Sequence, residues 1–148
     1  MVIIAESMVD EWLSSVPESD GIARLIEQAA AGRDPKERIP AVMELGRSRD
    51  PRGLQPLIDC CRDRDPEIRL RAIEGLLNMR SSRSVDVLIE RLRDKSELYE
   101  TRKHAVVALA TIRSNRAIQE LKDTLVDPHE HAALRSLIGW ELQRVHIW

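Results

Sequence analysis

The segment RDPEIRLRAIEGLLNMRSSRSVDVLIERLRD, residues 64 to 94, is preceded and followed by close copies of its own pattern. A shift of 31 positions towards the N-terminus aligns Arg69 with Arg38, and a shift of 33 positions towards the C-terminus aligns it with Arg102. Repeats of this length are typical of supersecondary units that cannot bury their apolar face alone and must stack on their neighbours. The sequence therefore predicts a tandem repeat protein.

Each repeat contains two predicted helices, which we call helix A and helix B. In the quoted repeat, Asp65 suits an N-cap and Pro66 a first helical position, and apolar residues then recur at helical spacing. A turn at residues 81–84 separates this helix A from a helix B with a second apolar stripe. That stripe consists of Val85, Leu88, Ile89 and Leu92.

One domain accounts for the whole chain of 148 residues. We expect about four two-helix units and a C-terminal helix: a degenerate cap repeat at 1–32, repeats at 33–63, 64–94 and 95–126, and a half-repeat at 127–148. The cap is inferred from weak matches such as Val9 and Leu13. Asp127-Pro128 is expected to open the last helix A, and Pro40 to bend the first full helix A or delay its start.

The composition limits both the core and the partners. Hydrophobic residues make up 43% of the chain, but aromatic residues only 3%, with no Phe, so the core must be aliphatic. The 25 acidic and 23 basic residues leave a net charge of -2, which provides no bulk attraction to nucleic acid or to an anionic membrane.

Cysteine usage and the first residues indicate a cytoplasmic location. Cys60 and Cys61 are neighbours, and a disulfide between them would distort the backbone severely, so we expect free thiols. Cys61 falls on the apolar face, whereas Cys60 is expected to point elsewhere. Glu6 and Asp10 interrupt the apolar start of the chain, which is therefore expected to be neither a signal peptide nor a membrane span.

The first full repeat resembles a known family. Its Asp34-Pro35, Arg38, Ala41, Leu45-Gly46 and the turn Asp50-Pro51-Arg52 are similar to the HEAT-like repeats of phycobilin lyases and other prokaryotic proteins. The resemblance implies an all-α, right-handed superhelix of the armadillo type, with the B helices on its inner surface. Functions in that superfamily range over scaffolding, chromophore attachment, nucleic-acid repair and metal-dependent hydroxylation, so the fold does not select among them.

An acidic column is predicted along the B helices. Its members occupy the same repeat position, away from each apolar stripe, with Arg62 and Arg93 beside them; they are Glu27, Asp59, Glu90 and Asp123. Because packed helices lie about 8–10 Å apart, such a column could bind a basic segment of a protein partner. The alternative is a solvated helix face whose acids only keep the protein soluble. Both interpretations remain open at this point.

Two arginine columns also follow the repeat. One is Arg38, Arg69 and Arg102 in the A helices, and the other is Arg52, Arg83 and Arg116 at the turns that open the B helices. We interpret them as structural, each arginine reaching a carboxylate or carbonyl of the adjoining unit. The rival interpretation is a stripe that follows phosphates, against which the near-neutral charge and the scarcity of aromatic residues argue.

The last helix has no helix B to cover it in this sequence. Its apolar side chains are therefore a candidate dock for a second copy of the chain or another protein. They are Leu134, Leu137, Ile138, Trp140 and Trp148.

Catalysis, a metal and a cofactor are not expected. His129-Glu130-His131 has histidines two apart, which point to different faces of a helix, and the matching places in other repeats hold Pro40, Leu70-Arg71 and Lys103-His104. No catalytic motif is present. The sequence therefore predicts a non-catalytic adaptor for a protein partner. The alternatives are a phycobilin lyase-like, chromophore-handling subunit and a nucleic-acid-binding HEAT-like protein.

Overall fold

The computed structural model describes residues 19–146, which form an all-α array. Helices are the only regular elements in that range, apart from short 3-10 turns at Pro51–Gly53 and Ser82–Ser84. The helices are α1 (Ser19–Ala29), α2 (Pro35–Ser48), α3 (Leu54–Cys60), α4 (Pro66–Met79), α5 (Val85–Arg93), α6 (Tyr99–Ile112), α7 (Asn115–Val126) and α8 (Ala132–His146). The all-α prediction is confirmed. Val9, Leu13 and Trp148 lie outside the described residues.

The helices form two layers, as stacked hairpins require. The A helices α2, α4, α6 and α8 pack in sequence in one layer, and the B helices α1, α3, α5 and α7 form the other. Each B helix also packs against the A helix that follows it. Equivalent positions of successive repeats therefore lie on the same face of the array.

The Asp-Pro signals begin helices where the sequence predicts. The Asp65 carboxylate accepts hydrogen bonds from the N–H of Glu67 at 2.8 Å and of Ile68 at 3.3 Å. Asp34 caps α2 through the N–H of Lys36 at 2.9 Å. These bonds satisfy donors that the first helical turn leaves without partners. Helix α2 begins at Pro35 and continues through Pro40, so Pro40 does not delay its start.

The prediction that Asp127-Pro128 opens a helix is wrong. The Asp127 side chain accepts from the N–H of His129 at 2.9 Å, and its carbonyl accepts from the N–H of Glu130 at 3.2 Å. These bonds close a turn, and α8 begins only at Ala132. Asp94 forms the same kind of turn before α6 by accepting from the N–H of Ser96 at 2.9 Å.

The core is aliphatic, as the composition predicts. The largest fully buried side chains come from both layers and are Leu45, Leu57, Ile68, Ile73, Leu76, Leu88, Leu92, Leu109, Leu121, Leu134, Ile138 and Val42. Helices α2 and α4 approach each other closely through Gly46 and Gly75, because a Cβ atom on Gly46 would lie 2.5 Å from the Gly75 Cα. Within residues 19–146, no helix is long and apolar enough to cross a membrane.

Candidate protein-binding surface

The acidic column lies on the exposed side of the B helices. Glu27 is on α1, Asp59 on α3, Glu90 on α5 and Asp123 on α7, and all four side chains are exposed to solvent. Their even placement follows from the repeat, since each helix presents the same face. The column is therefore available to a partner, although its members have different surroundings.

Two members of the column are paired with arginine. The Arg62 guanidinium donates two hydrogen bonds to the Glu90 carboxylate, from Nε at 2.9 Å and from NH2 at 2.8 Å. This bond from Arg62 lowers the pKa of Glu90. Glu27 accepts a hydrogen bond from Arg33 at 2.9 Å. Arginine thus neutralises half of the predicted column, which weakens its attraction for a basic partner.

The other two members contact only amides. Asp59 accepts from the Gln55 side chain at 2.9 Å, and Asp123 accepts from the Gln119 side chain at 2.8 Å. Each pair joins residues four apart on one helix, so the two contacts are repeat copies of each other. Among residues 19–146, no cation forms an ion pair with Asp59 or Asp123, although Arg62 lies near Asp59 and Arg93 near Asp123.

Arg62 and Arg93, predicted to bind a partner, join successive B helices instead. Arg93 donates from Nε at 2.7 Å and from NH2 at 2.6 Å to the carboxylate of Glu120 on α7. Arg62, in the turn just after α3, reaches Glu90 on α5 in the same way. The Arg62–Glu90 pair is exposed on both sides and contributes little to stability, whereas the Glu120 carboxylate is buried and depends on Arg93 for its ion pair. These two ion pairs connect neighbouring B helices, and they leave fewer guanidinium N–H donors of Arg62 and Arg93 for a partner.

Two grooves between neighbouring B helices contain the unpaired carboxylates. The first lies between α1 and α3, has a volume of about 280 Å³, and is lined by apolar side chains such as Ile26 and Pro56 together with Asp59. The second lies between α5 and α7, has a volume of about 250 Å³, and includes Asp123 among four carboxylates and two cations.

The A-helix arginine column is structural, as predicted. Arg38 donates from Nε to the Ala29 carbonyl at 3.1 Å and from NH2 to the Asp63 carboxylate at 2.5 Å. Arg102 donates to the Leu92 carbonyl at 2.9 Å and to the Glu130 carboxylate at 2.6 Å. Each arginine thus connects the end of the preceding B helix to the loop after its own repeat.

Burial excludes the rival interpretation at Arg38 and Arg102, whereas Arg69 is 17% exposed and donates to the Glu97 carboxylate and the Asp63 carbonyl. Arg38 is 6% exposed and Arg102 is 5% exposed, so neither guanidinium can reach a phosphate on a nucleic acid. The carboxylate partners were not predicted, because Asp63 follows its arginine by 25 residues whereas Glu97 and Glu130 follow theirs by 28 residues. The only signal in the sequence is the spacing from Asp94 to Glu97, which recurs from Asp127 to Glu130.

The turn arginines differ from one repeat to the next. Arg52 pairs with Asp50 of its own turn at 2.7 Å, and Arg116 pairs with Asp86 of the preceding repeat. Within residues 19–146, the Arg83 side chain has no carboxylate partner. The prediction that this column ties units together therefore holds only at Arg116.

The predicted dock on the last helix is smaller than the sequence suggests. Leu134 and Ile138 are completely buried and Leu137 is partly buried, because α6 and α7 cover that face of α8. Trp140 is 55% exposed and lies 5.0 Å from the Arg144 guanidinium. Among the described residues the dock reduces to Trp140 and part of Leu137, and Trp148 lies outside them, so homodimerisation through α8 stays a prediction.

Both cysteines are free and buried. The prediction that Cys60 points away from the core is wrong, since its thiol lies 3.8 Å from the Ala29 carbonyl between α1 and α3. Burial raises the pKa of both thiols, which keeps them protonated and poorly nucleophilic.

Glu130 of the His129-Glu130-His131 segment has a structural role, because its carboxylate pairs with Arg102 and Lys95. Burial alone would raise the pKa of Glu130, but hydrogen bonds from Arg102, from Lys95 at 2.6 Å and from the His131 N–H lower it to about 2. Within residues 19–146, no three His, Cys, Asp or Glu side chains converge to hold a metal ion.

Stacked two-helix hairpins joined by buried arginine bridges define an α-solenoid. The family profile described as HEAT repeats matches residues 22–99, which is more than half of the chain. The chain therefore belongs to the HEAT repeat family. Proteins of this kind commonly mediate protein interactions. No curated protein matches the sequence.

Several solved structures share the fold. Human deoxyhypusine hydroxylase in complex with glycerol has a TM-score of 0.73 and 19% identity, covering 89% of this chain and 46% of that chain. The CpcE–CpcF complex of phycocyanin lyase from Nostoc sp. PCC7120 has a TM-score of 0.67 and 18% identity, and the match covers 93% of this chain and 57% of that chain. An engineered protein has a TM-score of 0.61 and 16% identity, and the match covers 92% of this chain and 40% of that chain. The chain thus spans about half the length of these proteins, and such likeness shows the fold alone.

Proposed function

We propose that the protein is a non-catalytic adaptor whose B-helix face binds a protein partner with basic side chains. The observation that carries the proposal is the position of Asp59 and Asp123. Each lacks an ion-pair partner among residues 19–146, and each lines a groove between neighbouring B helices. HEAT repeats are typically non-catalytic scaffolds, which supports the adaptor role.

The chemistry of the grooves favours lysine or arginine from the partner. The apolar walls of the α1–α3 groove suit the methylene stem of such a side chain, and Asp59 suits its charged end. The α5–α7 groove offers Asp123 in the same role two repeats further on. A partner that fills both grooves gains affinity from two separated contacts on one rigid surface, which costs little ordering of the adaptor itself.

A direct test uses a fluorescein-labelled peptide of repeated Lys-Gly-Gly units and measures its anisotropy. The double substitution Asp59→Lys and Asp123→Lys is expected to weaken binding roughly tenfold or more, because both contacts become repulsive. The matched control is Glu37→Lys with Glu100→Lys, which makes the same charge change on exposed A-helix positions. Equal weakening by both variants, or no binding by the native protein, contradicts the proposal.

The chromophore-handling alternative stays a prediction. Its support is the fold that the chain shares with a phycocyanin lyase complex at 18% identity. Mixing the protein with a free bilin and recording the absorbance spectrum tests it. A shifted bilin band favours this alternative over the adaptor.

A further inference from the structure

A second charged surface lies at the turns between the A and B helices. Each of the three full repeats carries Arg-x-x-Arg there, and all six arginine side chains are exposed. The A helices pack side by side and end at these turns, so the six side chains share one edge of the array. We call this the arginine edge; it consists of Arg49, Arg52, Arg80, Arg83, Arg113 and Arg116.

The first arginine of each turn occupies an unfavourable backbone conformation. Arg49, Arg80 and Arg113 end their A helices at φ values of 54°, 52° and 59°, the left-handed region that glycine or asparagine normally fills. A cation does complement the negative end of a helix dipole, but Arg47 shows that an arginine inside the last turn can do this without a positive φ. Helix stability alone therefore does not explain three arginines at this position.

The second arginine of each turn opposes the helix dipole. Arg52, Arg83 and Arg116 lie at the beginning of B helices, where the partial charge of the helix end is positive. Asp50 and Asp86 offset this for Arg52 and Arg116. The first position of the motif therefore acts against folding stability, as does Arg83 at the second position, which has no carboxylate partner within residues 19–146; such a cost is expected of residues used for binding.

Most of the edge is available to a ligand. Within residues 19–146, no carboxylate forms an ion pair with Arg49, Arg80, Arg83 or Arg113. These guanidinium groups keep their donors for a partner, and a guanidinium binds a carboxylate through two parallel hydrogen bonds.

A cleft gives the edge a defined binding position. Arg80, Arg113 and Arg144 extend from the ends of three successive A helices and line a cleft of about 500 Å³. Ala110 and Thr111 provide part of its wall. Arg144 pairs with Glu141 at 3.4 Å and lies over the Trp140 ring, so within residues 19–146 Arg80 and Arg113 provide the guanidinium groups of this cleft that have no ion-pair partner.

We propose that the arginine edge binds an acidic segment of a partner protein, with one of its carboxylates in the cleft of Arg80, Arg113 and Arg144. Stacked repeats place equivalent arginines about 10 Å apart. Acidic residues at every third position of a segment in the polyproline II conformation lie on one face, about 9 Å apart. The edge therefore matches the spacing of such a segment.

A nucleic acid fits this edge less well. Each strand of a DNA duplex carries one phosphate per about 3.4 Å of helix axis, so one or two available arginines per repeat neutralise only a few of them. The proposal concerns a different surface from the B-helix grooves, so substitutions at Asp59 and Asp123 do not affect it.

The test is fluorescence anisotropy of a fluorescein-labelled peptide of repeated Glu-Gly-Gly units, with a short labelled DNA duplex as the competing probe. The variant Arg80→Gly with Arg113→Gly removes two guanidinium groups at positions where glycine suits the backbone, so loss of folding is not a competing explanation. We expect this variant to weaken peptide binding roughly tenfold or more.

The matched control is Arg64→Gln with Lys122→Gln, which removes two positive charges at exposed positions away from the edge. We expect it to change peptide affinity less than about twofold. The proposal is overturned if the control weakens binding as much as the edge variant, if the native protein does not bind the acidic peptide, or if it binds the duplex more tightly than the peptide.

Discussion

The Arg69 guanidinium and the Glu97 carboxylate form a two-point ion pair, with Nε–Oε2 at 2.7 Å and NH2–Oε1 at 3.0 Å. Arg69 also donates to the carbonyl of Asp63, in the loop before its own helix, at 2.9 Å. It therefore connects the loop in front of its repeat to the loop behind it. Arg38 and Arg102 make equivalent connections, so buried arginine bridges recur along the array.

Removing the Glu97 carboxylate should destabilise the protein strongly. The Glu97 side chain is 0% exposed, and Glu97→Ala leaves the guanidinium groups of Arg69 and Arg91 without their shared partner. We expect the free energy of unfolding in urea to fall by about 3 kcal/mol. Glu100→Ala removes an exposed carboxylate nearby and should cost less than about 0.5 kcal/mol. Similar losses for the two variants would show that the bridge has no special role.

Acid should weaken the fold through the same carboxylates. The ordinary pKa of Glu130 is 4.5, and the folded protein lowers it to about 2. The folded state therefore binds this proton less readily than the unfolded chain does, so the stabilisation is complete above about pH 4.5 and is lost as the pH falls towards 2.

Urea denaturation at a series of pH values measures this effect. For Glu130 we expect a loss of about 2–3 kcal/mol between pH 4.5 and 2, with further losses from Asp63 and Glu97, whose pKa values are also lowered. The Glu130→Gln variant should be less stable than the native protein at pH 7. Its free energy of unfolding should also fall less steeply as the pH is lowered from 4.5 to 2. A slope as steep as that of the native protein would argue against this assignment.

Two glycines should respond in opposite ways to alanine. In Gly46→Ala the new Cβ meets the Gly75 backbone at 2.5 Å, which forces α2 and α4 apart and should reduce stability by about 1–3 kcal/mol. In Gly139→Ala the new Cβ has only the Leu125 side chain nearby, at 3.8 Å, and helix propensity should raise stability by up to about 1 kcal/mol. The unfolding temperatures of the two variants, compared with that of the native protein, test both expectations. A Gly46→Ala variant as stable as the native protein would mean that α2 and α4 can move apart at little cost.

Arg80→Gly should stabilise the protein. The positive φ of Arg80 favours glycine by about 1–2 kcal/mol, and the greater freedom of glycine in the unfolded chain offsets about 0.5–1 kcal/mol of that gain. We therefore expect a net gain of about 0.5–1 kcal/mol in urea denaturation. Arg83→Gly in the same turn lacks a positive φ and should give no gain. A loss at Arg80 similar to that at Arg83 would indicate that the Arg80 side chain stabilises the fold.

Several parts of the candidate site could be predicted from the sequence and others could not. The acidic column and the A-helix arginine column are visible as residues that recur with the repeat. The pairing of Glu90 with Arg62 is not visible, because the repeat pattern places residues on a face without showing which neighbours they contact. The first arginines of the arginine edge recur with the same shifts, but their left-handed backbone appears only in the structure.

The sequence by itself determined that the chain is an all-α repeat with an aliphatic core and that Asp34 and Asp65 begin helices, because periodicity and capping act within a few residues. Only the tertiary structure decided which carboxylate meets each buried arginine, that Leu134 and Ile138 are covered, and that Asp127 closes a turn. These features depend on contacts between segments distant in the sequence, which periodicity and capping do not specify; the carboxylate partner also moves from 25 to 28 residues after its arginine between the first repeat and the later ones.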